Sequence, residues 1–401
     1  MTKLVLVVVV ALALVPSAAA RPDATPGVTP KTILLGATVP LSGPATAFGA
    51  VAPGAEAYFK YVNSRGGVHG RRIVFKYLDD GYEPARTVQL TRQLVQEDEV
   101  LAIFGSVGTA NNLAIQPFLN AAKVPQLFVG DGSNALSGKP ARYPWTIGYL
   151  PSYVGEGAIY GRNLLRTAPG ARVAVLQEDS PLGADLLVGL KRGLAGKGRI
   201  VGTEKHAPID ADVASQIAAL RASGADTLML FTTPLVFIRA AIALNKLGWH
   251  PRLYVNSVSI EPTIMETARL SSGTVTQNAI SMVWLKDPTS PRWAKDSAIA
   301  LYRRLMARYL PRARPSDVYH YAGMAFAHTM VDALRKAGKN PTRQSLMRAA
   351  RSLDERDNPF LLPGIAVRTS PANHFPISKA QLYRYRNGRW QPFSGLLGAR
   401  G

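Results

Sequence analysis

Short runs rich in β-branched residues alternate with longer amphipathic stretches along this chain, and that alternation leaves few folds open. Thr32–Thr38, Arg72–Leu78, Leu101–Phe104 and Pro125–Val129 read as strands. Between them, Pro53–Ser64 carries Ala55, Tyr58, Phe59 and Val62 at helical spacing. Pro84 opens a helix to Gln96 from the first position, where a missing N–H costs nothing. The pattern then repeats. Val173–Gln177, Ile200–Lys205, Thr227–Phe231 and Leu253–Val255 read as strands, with helices at Leu182–Leu194, Asp212–Arg221 and Leu235–Leu247. Strands alternating with helices build parallel sheets covered on both faces. Two such blocks predict two α/β lobes, each a doubly wound parallel sheet. Further helices are expected at Pro291–Tyr309, Asp317–Ala337 and Pro341–Leu353. Asn387-Gly388, between two alternating runs, predicts a closing β-hairpin.

Size agrees with two lobes, since 401 residues exceed one ordinary core. A hydrophobic content of 47% argues for a packed interior rather than disorder.

The first residues carry a processing pattern. Lys3 is followed by the unbroken apolar run Leu4–Val15 and then by Pro16-Ser17-Ala18-Ala19-Ala20, an A-x-A cleavage signature. The run is shorter than the roughly 20 residues of a spanning helix. Residues 1–20 are therefore expected to be a cleaved signal peptide, with an uncleaved anchor as the alternative. Residues 21–30, rich in Pro, Thr and Gly, read as a mature tail. The expected location is periplasmic or secreted. The chain contains no cysteine, so it offers neither a lipid-bearing cysteine nor a thiolate metal site or nucleophile.

There are 47 basic residues against 26 acidic, a formal charge of +21, or +20 once Lys3 is removed. Such charge raises nucleic acid, anionic lipid or an acidic ligand as partners. The arginines are scattered and form no basic stripe, so no nucleic-acid partner is expected. Signatures of local chemistry are missing as well. The six histidines never fall at metal-ligand spacing, and Gly105-Ser106-Val107-Gly108 has the wrong order for a nucleophile elbow. No phosphate loop occurs. Asp79-Asp80 at a strand end reads as a solvated turn pair, or as a counter-charge for a ligand. The expectation is a binding protein without cofactor or metal, not an enzyme; an enzyme with a dispersed site is the alternative that local motifs leave open.

Four segments carry a family resemblance. The first is Gly36-Ala-Thr-Val-Pro-Leu-Ser-Gly-Pro-Ala-Thr-Ala-Phe-Gly49, continuing to Asn63-Ser64-Arg65-Gly66-Gly67-Val68-His69-Gly70. The second is Tyr77-Leu-Asp-Asp80 with Pro84, and the third Ile103-Phe-Gly-Ser-Val-Gly-Thr109 with Gln116-Pro117 and Val124-Pro125. The fourth is Leu362-Pro-Gly-Ile365 with Thr369-Ser-Pro371, Phe375-Pro376-Ile377 and Gln381-Leu382. In this order and spacing the chain resembles the periplasmic binding proteins of the branched-chain amino acid type, the type I fold family. The resemblance implies two lobes joined by a three-crossing hinge, with ligand held between them. By analogy one lobe comprises residues 31–150 and 284–362, the other 151–283 and 363–401.

The same resemblance nominates site residues. Phe48 matches an aromatic that covers the ligand, although a buried packing role is open to it. Gly108 and Thr109 precede a helical stretch, whose N-terminal amides and dipole suit a carboxylate; Thr109 is equally suited to a plain cap. Gly132 and Ser133 match backbone and hydroxyl contacts, and Thr233 matches a contact from the second lobe. Two positions depart from the amino-acid binders: Leu182 stands where a tyrosine is usual, and Ser257 where a glutamate holds the ligand ammonium. The resemblance thus implies a small carboxylate-bearing ligand, an amino acid or an organic or aromatic acid, captured by hinge closure. It implies a monomer serving a membrane ABC permease. An extracytoplasmic sensor on the same fold is the alternative.

Overall fold

The computed structural model describes residues 25–208, 210 and 212–400. The expected signal segment 1–20 and the start of the tail lie outside these residues.

Two sheets form, as the double alternation requires. The first comprises β1 (Thr32–Val39), β2 (Arg72–Asp79), β3 (Ala102–Phe104), β4 (Gln126–Val129) and β5 (Thr146–Gly148). Its order is β2-β1-β3-β4-β5, with every pair parallel. Helices α1 (Val51–Asn63), α2 (Pro84–Gln96), α3 (Thr109–Ala121) and the short α4 (Asn134–Ser137) connect these strands.

After α5 (Tyr153–Thr167) the second sheet begins with β6 (Arg172–Glu178), α6 (Pro181–Leu194), β7 (Arg199–His206), α7 (Ala214–Ala222) and β8 (Thr227–Phe231). It continues through α8 (Pro234–Lys246), β9 (Arg252–Val255), α9 (Pro262–Ser272) and β10 (Ile280–Val283). The chain then returns to the first lobe for α10 (Ser297–Tyr309), α11 (Val318–Ala337) and α12 (Arg343–Ala350), with α11 packed along α1. A two-stranded pair follows, β11 (Asp354–Glu355) with β12 (Val367–Arg368). The hairpin of β13 (Lys379–Arg386) and β14 (Arg389–Gly398) completes the second sheet, in the order β14-β13-β10-β9-β8-β6-β7. Only β13 runs against the others, pairing antiparallel with β10 on one side and β14 on the other.

The polypeptide passes between the lobes three times: after β5, after β10 and after β12. Residues 363–377 stay close to the first lobe. Leu353 N–H donates to Thr369 Oγ1 at 2.9 Å, and Arg368 N–H to Pro376 O at 2.8 Å.

Differences from the sequence reading have local causes. The helix expected over Pro291–Tyr309 breaks into a 3₁₀ turn, Pro291–Trp293, and α10. Asp296 interrupts it by capping, because its carboxylate accepts from the amides of Ala298 (2.9 Å) and Ile299 (3.2 Å). Helix α5 gave no clear signal because Gly155, Gly157 and Gly161 read as helix breakers, each costing about 1 kcal/mol against alanine. The structure explains all three, Gly155 because a Cβ there would sit 2.1 Å from Ala399 O just after β14, and a glycine opposite. A Cβ on Gly157 would sit 2.1 Å from Leu186 O, one on Gly161 2.7 Å from Leu190 O, and one on Gly189 of α6 2.1 Å from Val154 O. The latter three glycines let α5 and α6 touch backbone to backbone. Gly189→Ala should therefore overpack this contact by about 1–3 kcal/mol and lower the calorimetric melting temperature by several degrees. An unchanged melting temperature would mean that the two helices are not this close.

Candidate ligand-binding site

In parallel sheets the strand carboxyl ends lead into loops and helix N-termini, so polar groups collect there. Here the carboxyl ends of both sheets face one cleft. Its walls include Val107-Gly108-Thr109 after β3, Gly130-Asp131 after β4, Leu182 after β6, Ser257–Glu261 after β9 and the Trp284–Asp287 crossing after β10. Helix α11 adds Tyr319 and Phe326. The cavity between them measures about 140 Å³. Its lining is mainly apolar and aromatic, as small-molecule sites are.

Five residues nominated from sequence meet on this wall: Phe48, Gly108, Thr109, Leu182 and Ser257. Phe48 is buried and lies edge-on to Tyr319, with ring centroids 5.4 Å apart and planes at 83°. It also leans on Tyr82 at 6.2 Å. It packs and lines the cleft at once. Gly108 has φ of 100°, and a Cβ there would meet Asn111 Oδ1 at 2.7 Å and Tyr82 at 2.8 Å, so only glycine fits this bend.

Thr109 behaves unlike its expectation. Its hydroxyl donates to Asp131 Oδ2, so it is not a free donor for a ligand carboxylate. Asp131 also accepts from Ser133 N–H at 2.6 Å. Ser257 is likewise engaged, its N–H and hydroxyl donating to Glu156 at 2.6 and 2.8 Å. Gly132, Ser133 and Thr233 lie off the wall. Gly132 O accepts from Tyr153 N–H at 2.9 Å, and Ser133 caps α4 by accepting from Ala135 N–H at 3.0 Å. The Thr233 hydroxyl donates to Pro208 O at 2.9 Å.

Asp79 and Asp80 are not a solvated pair. Asp79 ties down the Leu41-Ser42 loop, accepting from Leu41 N–H at 2.9 Å and the Ser42 hydroxyl at 2.5 Å. Asp80 is fully buried and accepts from Tyr82 N–H at 3.0 Å and the Thr87 hydroxyl at 2.8 Å.

Sequence reasoning missed much of the wall. Tyr82 follows Gly81 with a left-handed φ of 67°, a strained conformation for a bulky residue that is common at functional sites. Tyr153, Trp284, Trp293, Tyr319 and Trp390 come from separate elements and carry no shared motif. Glu261 caps α9 by accepting from Ile264 N–H at 3.0 Å, and it too lines the cleft. The sequence reading placed only Ser257 in this region; the carboxylate appears four residues later. Across the cleft, the Tyr319 hydroxyl donates to Val258 O at 2.8 Å and Asn134 N–H to Asp185 Oδ2 at 2.6 Å.

No group of acidic or histidine side chains among the described residues could hold a metal ion. No described helix is long and apolar enough to cross a membrane.

An aromatic crevice between two parallel sheets with facing carboxyl ends defines a solute-binding protein. Residues 32–389 match the periplasmic binding protein family, an extracytoplasmic family of binding proteins rather than enzymes, and the chain belongs to it. The Leu/Ile/Val-binding protein homolog 3 of Brucella melitensis is 28% identical over 202 residues, 49% of this chain and 53% of the relative. The chain thus spans about half the length of that curated relative. Among solved structures, the fatty acid ABC transporter substrate-binding protein from Thermomonospora curvata has a TM-score of 0.78 at 22% identity, covering 94% of this chain and 95% of the other. A branched chain amino acid ABC transporter structure from Thermus thermophilus with bound valine has a TM-score of 0.82 at 18% identity, covering 92% and 97%. These likenesses establish the type I fold.

Burial raises the carboxyls of Asp131 to about 6 and of Glu156, Glu178 and Glu261 to about 7. A carboxyl raised on folding stabilises the protein fully below its unfolded value, near 4, and that stability is lost as pH rises through the folded value. Buried His374 is lowered to about 4, and His206 is lowered too, chiefly by loss of hydration. They oppose the carboxyls only below about 6.5, where an unfolded histidine takes up its proton. Between pH 8 and pH 6.5 the carboxyls dominate. The ligand-free melting temperature should rise by a few degrees over that descent, as followed by circular dichroism, and Glu156→Gln should flatten the rise.

Proposed function

We propose that this protein is the extracytoplasmic substrate-binding component of an ABC importer, a monomer that closes two lobes on a small organic ligand and presents both to a membrane permease. The observation that carries the reading is the aromatic-walled cleft at the carboxyl ends of two facing sheets, bridged by two hydrogen bonds that the first lobe donates to the second. The family and the transport proteins sharing its fold support the same reading.

The ligand body is small and apolar. A protein cavity of about 150 Å³ takes up a benzene-sized guest, and this cleft is of that order, with indole and phenol rings around it. The Thermomonospora protein is named for fatty acids and the Thermus structure holds valine. Both support the carboxylate-bearing class that the loop resemblance implies. Against that class stands Thr109, whose hydroxyl already serves Asp131.

Mass spectrometry of small molecules released from the purified, denatured protein tests the reading. A single organic compound is expected. Re-adding it should contract the protein in X-ray scattering and change the emission of Trp284, Trp293 and Trp390, which line the cleft. Phe48→Ala should weaken its binding by about 1.5–3 kcal/mol, roughly ten- to hundredfold in Kd. Turnover of the compound would instead indicate an enzyme, and closure that engages a receptor rather than a permease would indicate a sensor.

A further inference from the structure

Helix α3 begins at the cleft, where its first amides and the Thr109 hydroxyl would suit an anion. In this chain the anion is built in. Asp131 accepts the Thr109 hydroxyl on one oxygen and Ser133 N–H on the other, and only 1% of the residue is exposed. A ligand carboxylate brought to the same place would meet a like charge away from water.

Nothing nearby neutralises it. The charge felt most strongly by Asp131 is Asp185, and that felt by Glu178 is Asp131 itself. No ion pair among the described residues includes Asp131, Glu178 or Glu261. Lys286 is the one cation among the described residues of the wall, and it is held by Asp296 at 2.7 Å. Glu261 supplies a second, independent sign. It is 6% exposed and lines the cleft, and its Oε1 has no hydrogen-bond partner. A buried carboxylate oxygen without a donor is costly, so it marks a place where a donor is to be supplied. Phe48, Tyr82, Tyr153, Trp284 and Tyr319 line the same cleft, and ring faces attract cations.

We propose that the ligand is an organic cation, an ammonium group held at Glu261 and carried on a small apolar or aromatic body, with Asp131 adding negative charge to the facing wall. The proposal rests on the solute-binding reading above and narrows its ligand. An ammonium supplies the donors that Glu261 lacks and the positive charge that the cleft lacks, while the rings take the body. Leu182 and Val258 add apolar wall without competing for the charge.

Calorimetry on the full chain above pH 7, with benzylamine, benzoate and benzamide as probes of one ring and three polar ends, decides the matter. Benzylamine is expected to bind at least about tenfold more tightly than either of the others. Asp131→Asn and Glu261→Gln should each weaken benzylamine about tenfold or more with unchanged circular dichroism. The second variant keeps the test open if the first fails to fold. Benzylamine affinity should also fall with acidification from about pH 7 through about pH 6, as Glu261, facing Asp317 and Tyr319, and then Asp131, facing Asp185, Glu178, Tyr82 and Tyr153, take up protons. Benzoate binding as tightly as benzylamine, no benzylamine binding at millimolar concentration, or both variants binding like the parent would overturn the proposal. Benzoate-driven contraction in scattering would do so while leaving the importer reading intact. Absence of contraction with the co-purified compound would sink that reading instead.

Discussion

Two parallel sheets end toward one another, and the rest of the molecule follows from that. A parallel strand cannot turn directly into its neighbour, so each carboxyl end passes into a loop and then a helix N-terminus. Such ends are rich in unpaired backbone groups and cannot be covered by regular structure. Facing two of them across a cleft lets side chains from both lobes finish the pairing. Tyr319 reaches Val258 and Asn134 reaches Asp185 across this gap. The glycine-mediated contact of α5 with α6 fixes one flank, and α1 against α11 the other.

Burial of charge without a partner is the unusual feature of this cleft. A carboxylate removed from water needs a cation or several donors. Glu156 has donors, from Tyr160, Ser257 N–H and the Ser257 hydroxyl. Asp80 has Tyr82 N–H, the Thr87 hydroxyl and the Asn111 amide. Asp131 and Glu261 have fewer, and they stand on opposite lobes at the wall itself. The first group is structural: its charge is spent on holding loops in place. In the second, Glu261 keeps one oxygen without a donor at the cleft wall. Net positive charge elsewhere on the chain does not change this local balance, because surface charges are screened by solvent over about 10 Å at moderate salt.

Fold and ligand are set by different residues. The two-lobed frame is shared by a protein named for fatty acids and one holding valine, so the frame does not choose the ligand. That choice falls to a handful of side chains on the loops. In this chain Leu182 and the indoles of Trp284, Trp293 and Trp390 line the cleft with apolar surface, and Asp131, Glu261 and the tyrosines bring its polar groups.

Much of the frame was legible in the amino-acid order. Helix Pro84–Gln96, strand Thr227–Phe231 and the hairpin at Asn387-Gly388 follow from periodicity and turn chemistry, which act over a few residues. Helix α5 was not legible, because its glycines serve a neighbour remote in sequence. For the site, order along the chain pointed to Phe48, Gly108, Thr109, Leu182 and Ser257, which lie on the wall, and to Gly132, Ser133 and Thr233, which do not. It could not show that Thr109 spends its hydroxyl on Asp131, that Glu261 turns inward, or that Tyr82 and Tyr319 meet over Phe48. Local pattern decides which segments are strands and helices, since those bonds form between near neighbours. Which charged and aromatic groups share a dry space is decided only when chain segments more than a hundred residues apart are folded against each other.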